Sequence, residues 1–246
     1  MISATAHTNF ENHIQQNSYP GRGLVIGRTE TGDWAIVYWI MGRSPNSRNR
    51  RFVADGVTLR TEPIDLASVE NPELIIYEAM LELPGIFLVS NGDQTRTLYE
   101  TLQKGGSFDE ALLTREREPD APNYTPRISG MIVPENATSP VTLSILKANP
   151  ADPAPADPAL TDRFTYRPAP PPPGLGTCLT TYMGDGRPLP SFSGDPVWLP
   201  LQGNPDTILQ TYWDGLDADN RVALAVKVVE NGRSRILIRN QSRAIL

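Results

Sequence analysis

The sequence has very few of the residues that crosslink a chain or bind transition metals. Its 246 residues include one cysteine, Cys178, and two histidines, His7 and His13. A single cysteine excludes an intramolecular disulfide framework and is typical of proteins from a reducing compartment. The cysteine and the histidines are not spaced as the ligands of a zinc site. We therefore expect no transition metal, whereas carboxylate-bound magnesium stays open because Asp and Glu are scattered along the chain.

Long hydrophobic segments and an excess of positive charge are also missing. The longest apolar run, Trp34–Met41, is far shorter than the roughly 20 residues that a membrane-spanning helix needs. Residues 1–17 are polar and lack the apolar segment of a secretory signal. A net charge of −6 argues against general binding to nucleic acids or membrane surfaces. We expect a soluble cytoplasmic protein in which any anion-binding site is local.

The hydrophobic segments predict a strand-rich fold with helices grouped in the middle of the chain. Residues 23–29 and 34–42 are apolar and β-branched, and the ETGD between them favours a hairpin. Asn231-Gly232 is the strongest short hairpin signal. Residues 95–120 have helical spacing, with Ser107 as a candidate N-cap. This pattern predicts an α+β fold.

Residues 149–174 differ in composition from the rest of the chain. They hold nine of the 24 prolines, which are incompatible with a regular helix or an interior strand. The segment is either a linker or an extended surface excursion. Because strand signals occur on both sides of it, we favour one domain over residues 1–246.

Arginines cluster around residues 38–52, where an apolar run ends in GRSPNSRNRRF. Four arginines lie in this stretch and Arg22 and Arg28 lie just upstream. The planar guanidinium suits bidentate binding of phosphate, and nearby Ser and Asn add neutral donors. The stretch is neither a P-loop nor a dinucleotide-binding turn. The alternative interpretation is a solvated loop whose arginines pair with the excess carboxylates.

Several motifs in order give a more specific indication. GRGLVIGR, GRSPNSRNR, NPELIIYEAM, VSNGDQT, NYTPRISG and TTYMGDG resemble those of the inosine monophosphate (IMP) cyclohydrolases of archaeal type and their bacterial relatives. The resemblance covers roughly Tyr19 to Gly186. It implies a four-layer α-β-β-α sandwich like that of the N-terminal nucleophile hydrolases, without self-processing. It also implies closure of 5-formamidoimidazole-4-carboxamide ribonucleotide to IMP and water, with no cofactor.

The resemblance further implies the residues of the site. Tyr77, Glu118 and Arg50 match catalytic positions, although Glu116 competes with Glu118 for that role. Tyr182 is a weaker candidate. Residues implied in substrate binding are Arg22, Arg43, Ser44, Asn49, Asn91, Gly92, Asp93 and Arg127. The expected partner is a purine ribonucleotide, and a homo-oligomer is left open.

Two other functions remain open at this point. An amide hydrolase of the N-terminal nucleophile type could use an internal processing site at Thr177-Cys178 after a glycine. A lone cysteine in an apolar segment is, however, usually a small core residue. A purine nucleotide-binding protein that has lost the chemistry would have a similar sequence, because function resides in the site and not in the fold.

Overall fold

Two antiparallel sheets form the framework of the protein, described here from a computed structural model that defines residues 2–69, 72–149 and 160–241. The first sheet consists, in spatial order, of β11 (Val197–Pro200), β10 (Leu175–Thr180), β1 (Gly23–Arg28), β2 (Trp34–Met41), β12 (Arg221–Glu230) and β13 (Arg233–Asn240). The second consists of β3 (Arg51–Asp55), β4 (Thr58–Glu62), β5 (Glu78–Leu83), β6 (Ile86–Ser90), β7 (Arg127–Ile132), β8 (Val141–Ala148) and β9 (Thr161–Tyr166).

The helices are short, and the four longest pack on the outer faces of the sheets. The helices are α1 (Ile2–Phe10), α2 (Pro45–Arg48), α3 (Pro72–Ile75), α4 (Gln94–Gln103), α5 (Phe108–Leu113) and α6 (Pro205–Gly215), with a π-helical turn at Glu11–Gln15 and a 3₁₀ turn at Leu66–Ser68. None of the helices in the described residues has the length and apolar character that crossing a membrane requires. The predicted α+β class is confirmed.

Three apolar clusters hold the layers together. The largest lies between the sheets and joins Ile26 and Ile36 of the first sheet to Leu143 and Ile145 of the second. Burying one such side chain fully stabilises the fold by about 1.5–3 kcal/mol. A second cluster packs α1 and α6 on the first sheet, and a third packs α4 and α5 on the second. Strands β1 and β2 are thus covered on both faces, which explains why their sequences are apolar almost throughout.

The predicted hairpins form as the turn chemistry requires. β1 pairs with β2, and β12 pairs with β13 across Asn231-Gly232. Both turn residues have positive φ, 49° and 75°, the region that Asn and Gly tolerate best. Helix α1 and the β3–β4 hairpin were not predicted. The edge of the second sheet is linked to the first by Asn240, whose side-chain amide bonds both the N–H and the C=O of Phe52.

The proline-rich segment lies only partly in the described residues, since residues 150–159 fall outside them. Its remainder contains β9, which pairs with β8 at the edge of the second sheet. An edge position is the one in which a proline-rich chain can join a sheet. The chain then reaches the first sheet, where the Gly174 N–H donates to the Arg28 C=O over 2.9 Å.

Helix α5 begins with the predicted Ser107 cap. The Ser107 hydroxyl accepts from the Glu110 N–H at 3.2 Å, and the Glu110 carboxylate accepts from the Ser107 N–H at 2.7 Å. We expect Ser107→Ala to lower the free energy of unfolding by about 1 kcal/mol, because the Glu110 N–H loses its acceptor, the Ser107 hydroxyl. Urea denaturation measures this loss. Ser107→Asp keeps an acceptor and should restore most of it, and an unchanged midpoint in Ser107→Ala would contradict the prediction.

Candidate functional site

One end of the two sheets carries a cavity of about 260 Å³. Because β1 runs antiparallel to β2 and β10, its start meets the ends of both neighbours at this place. The loop that precedes β7 closes the cavity from the second sheet. The cavity is lined by Tyr19, Gly21, Arg22, Met41, Arg43, Ser44, Ser47, Arg50, Asp120, Asn123, Thr125, Thr181, Tyr182 and Leu189. Most of these side chains are charged or carry hydroxyl or amide groups, which suits a polar ligand.

Arg22, which lines the cavity, forms a largely buried ion pair with Glu118. Arg22 Nη1 lies 3.2 Å from both carboxylate oxygens of Glu118, and the Glu118 side chain is only 2% exposed. Burial raises the pKa of Glu118, and the Arg22 guanidinium only partly opposes this rise. Burial alone would lower the pKa of Arg22, but the Glu118 carboxylate holds it well above its usual range. A carboxylate whose pKa is raised in this way accepts a proton more readily than an ordinary carboxylate does.

Arg50 is the second buried guanidinium of the cavity. It is 3% exposed, and it donates to the Ser47 C=O at 2.9 Å and to the Met41 C=O at 3.3 Å. Burial and the nearby Arg22 lower the pKa of Arg50. Its Nη1 and the Nε of Arg22 are buried without a hydrogen-bond partner among the described residues. Unpaired buried donors are costly, and both of these belong to residues that line the cavity, which suits the binding of an anionic or carbonyl oxygen there.

A pair of tyrosines lies behind the arginines. The Tyr38 and Tyr77 hydroxyls are 2.7 Å apart, and the pair connects β2 in the first sheet to the start of β5 in the second. The Tyr77 N–H donates to Thr61 Oγ1 at 3.0 Å, which fixes its main chain. Both phenols are close enough to Arg22 and Arg50 for charge effects between the groups. The structure therefore brings the predicted Tyr77, Glu118, Arg22 and Arg50 to one place.

The loop before β7 adds a chain of hydroxyl groups. Thr125 donates to the Asp120 carboxylate, and its Oγ1 lies 2.6 Å from the Tyr182 hydroxyl. Burial raises the pKa of Tyr182. Tyr124 has a φ of 43°, a left-handed conformation that is uncommon outside glycine and is found at functional sites. The Asn123 side chain holds the opposite wall by accepting from the Leu189 N–H at 3.1 Å.

Arg43 and Ser44 lie at the mouth of the cavity. The Arg43 side chain is 31% exposed, pairs with Asp185 and stacks over the Tyr19 ring at 4.8 Å. Ser44 is the N-cap of α2 and forms a capping box with Ser47. The short helix thereby directs both serines and the following Arg50 toward the cavity.

Tyr77 and Glu118 lie close to Arg22 but are not themselves among the residues that line the cavity. The remaining predicted residues, Asn49, Asn91, Gly92, Asp93 and Arg127, also lie outside the lining. The Asn49 amide is bonded to both main-chain groups of Asp65, at 2.7 and 2.8 Å. The Asn91 amide accepts from the Ile128 N–H and donates to the Pro126 C=O, both at 2.8 Å. These two amides order loops, and no contact with the cavity is described for them.

Asp93 and Arg127 form a separate charged group next to Gly92. Arg127 donates to Asp93 Oδ1 at 2.8 Å, and Arg115 also pairs with Asp93. Although burial opposes it, Arg127 and Arg115 hold the pKa of Asp93 below its usual value. Gly92 leaves room for this group, since a Cβ there would lie 2.6 Å from Arg127 Nη1. The positive charge of Arg127 also opposes the rise in the Glu118 pKa, so Arg127 interacts electrostatically with the site.

Sequence reasoning missed several residues of the site. Tyr38 is hidden in a continuously apolar strand, where no pattern shows which side chain lies beside Tyr77. Asn123 and Thr125 belong to the NYTPRISG motif and Asp120 lies just before it, but the positions of all three around the cavity depend on how the loop folds. Asp185 follows the TTYM motif and pairs with Arg43. Among the described residues no group of three His, Cys, Asp or Glu side chains is arranged to hold a metal ion.

Comparison with known proteins gives a consistent family. The family model described as "IMP cyclohydrolase-like protein" matches residues 19–233. An IMP cyclohydrolase of Methanococcus maripaludis strain C7 is 29% identical over 123 residues, which are 48% of this chain and 60% of the relative. The IMP cyclohydrolase of Methanocella arvoryzae is 31% identical over 119 residues, 46% of this chain and 57% of the relative. The chain thus matches less than two thirds of the length of these relatives, whereas the family model covers most of the chain. The chain belongs to the family of IMP cyclohydrolase-like proteins.

Proposed function

We propose that this protein is an IMP cyclohydrolase, which closes 5-formamidoimidazole-4-carboxamide ribonucleotide to IMP with loss of water in purine synthesis. One observation carries the proposal. The cavity contains two buried guanidiniums, Arg22 and Arg50, each with an N–H that has no partner in the described residues, beside the buried carboxyl of Glu118. The names of the relatives, IMP cyclohydrolases of methanogenic archaea, support the same reaction.

To catalyse this reaction, the protein must mainly hold the carboxamide against the formyl group and transfer protons. The carboxamide nitrogen attacks the formyl carbon, and the formyl oxygen becomes an oxyanion. Two protons then convert that oxygen into water, one from the carboxamide nitrogen and one from the formamide nitrogen, so that atoms and charge balance. Holding the two groups together supplies much of the rate, and the chemistry requires no redox step.

The side chains at and beside the cavity are suited to stabilising the oxyanion and transferring the protons. The free N–H groups of Arg22 and Arg50 stabilise the oxyanion, as donors do in other acyl-transfer sites. Tyr77 donates its phenolic proton to the same oxygen and regains a proton from the formamide nitrogen as water leaves, while the carboxamide proton taken up by Glu118 becomes the second proton of that water. Glu118, whose pKa is raised by burial, accepts the carboxamide proton. In this proposal Arg50, Tyr77 and Glu118 are the catalytic residues.

The burial of these side chains determines how the substrate is oriented in the cavity. Arg22, Arg50 and Glu118 are buried, so the reacting carboxamide lies inside. The phosphate then lies at the mouth, where Arg43 is partly exposed and Ser44 offers a hydroxyl. An exposed arginine can exchange its contact with Asp185 for a dianionic phosphate at little cost, because exposed ion pairs are weak. Asn49, Asn91, Gly92, Asp93 and Arg127 remain predicted substrate-binding residues, and their present contacts favour a supporting role.

The architecture supports two related proposals. The sequence of helix, sheet, sheet and helix layers suits the four-layer sandwich of the N-terminal nucleophile hydrolases, without self-processing. A single domain over residues 1–246 is favoured because β1 and β2, before the proline-rich segment, share one sheet with β10 to β13, after it. Cytoplasmic location and a homo-oligomer stay predictions.

The position of Cys178 speaks against the amide hydrolase. Its side chain is 1% exposed and packs in the cluster between the first sheet and its helices, away from the cavity lining. Burial raises the pKa of Cys178, which disfavours the thiolate that a nucleophile needs. Thr177 precedes it on the same strand. The placement of this dipeptide therefore supports cyclohydrolase chemistry over processing at Thr177-Cys178.

Ultraviolet turnover of the formamido ribonucleotide by purified full-length protein tests the function. We expect conversion to a product with the absorbance and retention of IMP, and an intact mass that shows no cleavage. A folded protein that binds the nucleotide without converting it would instead be a non-catalytic nucleotide-binding protein. A chain cut before Cys178 with amidase activity would support the amide hydrolase.

A further inference from the structure

The hydroxyl pair of Tyr38 and Tyr77 is unusual for its depth and isolation. Tyr38 is completely buried and Tyr77 is 5% exposed. Each hydroxyl has the other as its one hydrogen-bond partner among the described residues, at 2.7 Å. Through this hydrogen bond Tyr38, in a strand of the first sheet, contacts Tyr77, a proposed catalytic residue just before a strand of the second sheet.

The direction of this hydrogen bond follows from the surroundings of Tyr38. A buried hydroxyl proton without an acceptor is costly, and the described residues offer Tyr38 no acceptor other than the Tyr77 oxygen. Burial and the neighbouring Tyr77 also raise the pKa of Tyr38, so this phenol keeps its proton. By distance alone either oxygen could donate, but Tyr77 keeps 5% exposure and Tyr38 has none, so only the Tyr77 proton has another direction open to it, and we infer that Tyr38 is the donor and Tyr77 the acceptor. The Tyr77 proton is then free to point away from the pair.

We propose that Tyr38 is a positioning residue, which donates to the Tyr77 oxygen and thereby turns the Tyr77 proton toward the formyl oxygen of the substrate. This inference rests on the proposed function. Without Tyr38, Tyr77 could rotate or donate elsewhere, so that only part of the population would present its proton to the substrate. The substrate itself would still bind, because Tyr38 is not among the residues that line the cavity and the one hydrogen bond of its hydroxyl among the described residues is to Tyr77. The effect should fall on kcat and leave KM nearly unchanged.

A double-mutant cycle in the full-length protein tests the assignment, with the formamido ribonucleotide as substrate. We expect Tyr38→Phe to lower kcat about five- to tenfold, the loss expected for one neutral hydrogen bond, with KM within about twofold of wild type. Tyr77→Phe should lower kcat about a hundredfold or more. Adding Tyr38→Phe to Tyr77→Phe should cause no further loss, because the oriented proton is already absent.

Tyr212→Phe is the matched control. Tyr212 is also fully buried, and its hydroxyl donates to the Pro200 C=O at 2.9 Å on the far face of the first sheet. Both Phe variants therefore lose one buried hydrogen bond, and urea unfolding should show similar destabilisation. Tyr212→Phe should keep wild-type kcat. This comparison separates positioning from a general loss of stability.

The outcomes are distinct. Equal kcat in Tyr38→Phe and Tyr212→Phe would overturn the inference, as would a Tyr38→Phe loss of the same size with and without Tyr77. If Tyr38→Phe does not fold while Tyr212→Phe does, Tyr38 is a structural residue and the inference fails as well. A folded wild type without turnover would overturn the proposed function first, and the inference with it. Turnover by the wild type is therefore measured before any variant is made.

Discussion

Replacement of Arg50 by alanine is expected to lower turnover of the formamido ribonucleotide by about 10²–10³-fold, the loss typical of removing one donor that stabilises an oxyanion. Arg50 is 3% exposed and has no carboxylate partner in the described residues, so its charge is buried without compensation until an anion binds. Its free Nη1 is the donor that the developing oxyanion would use. Initial rates from ultraviolet absorbance, with kcat and KM separated, measure the effect.

Two further variants make the Arg50 result specific. Arg51→Ala removes the adjacent arginine, whose side chain is 54% exposed and pairs with Glu62, and it should keep wild-type turnover. Arg50→Lys keeps a positive charge but loses the planar fork, so it should recover only part of the activity. Because Arg50 also holds the Ser47 and Met41 carbonyls, urea unfolding must show that each variant is folded. Full turnover by folded Arg50→Ala would contradict the prediction.

The parts of the fold that depend on local chemistry could be predicted. Asn231-Gly232 requires positive φ at both turn positions, and Ser107 followed by Glu110 forms a capping box, so each signal lies within a few residues. Helix α1 could not be read in the same way. Its sequence is polar, and its helical state depends on burying Ala6 and Phe10 against the rest of the protein.

Parts of the site could be predicted where the residue type alone indicates the chemistry. Arginines in an acidic chain indicated an anion site, and Arg22, Arg43 and Arg50 do line one cavity. Tyr38 could not be found, because all eight residues of its strand are buried and alternation gives no face. The family resemblance implies a role in substrate binding for Asn91, and in the structure its amide bonds main-chain groups that are distant in sequence, the Pro126 C=O and the Ile128 N–H. Such choices depend on tertiary contacts and leave no local signal.

Glu118→Gln is expected to lower kcat by about 10²–10⁴-fold, the range for loss of a general base. The amide keeps the size of the carboxyl and an oxygen acceptor for Arg22, but it cannot take the carboxamide proton. Glu62→Gln is the matched control, because Glu62 pairs with Arg60 at the surface and its loss should leave turnover unchanged. A folded Glu118→Gln with wild-type kcat would remove Glu118 from the mechanism and return Glu116 as the alternative.

The pH dependence gives a second readout for Glu118. A base acts when ionised, so kcat of the wild type should fall as the pH decreases through the Glu118 pKa, which burial raises above the ordinary 4.5. Unfolding driven by this group cannot mimic that limb. A carboxyl whose pKa is higher in the folded state stabilises the fold below its unfolded pKa, and this contribution is lost as the pH rises through the folded pKa. Protonating Glu118 thus favours folding while it stops the reaction. Glu118→Gln should lack the acid limb, and a variant that retained it with the same midpoint would show that another group carries the proton.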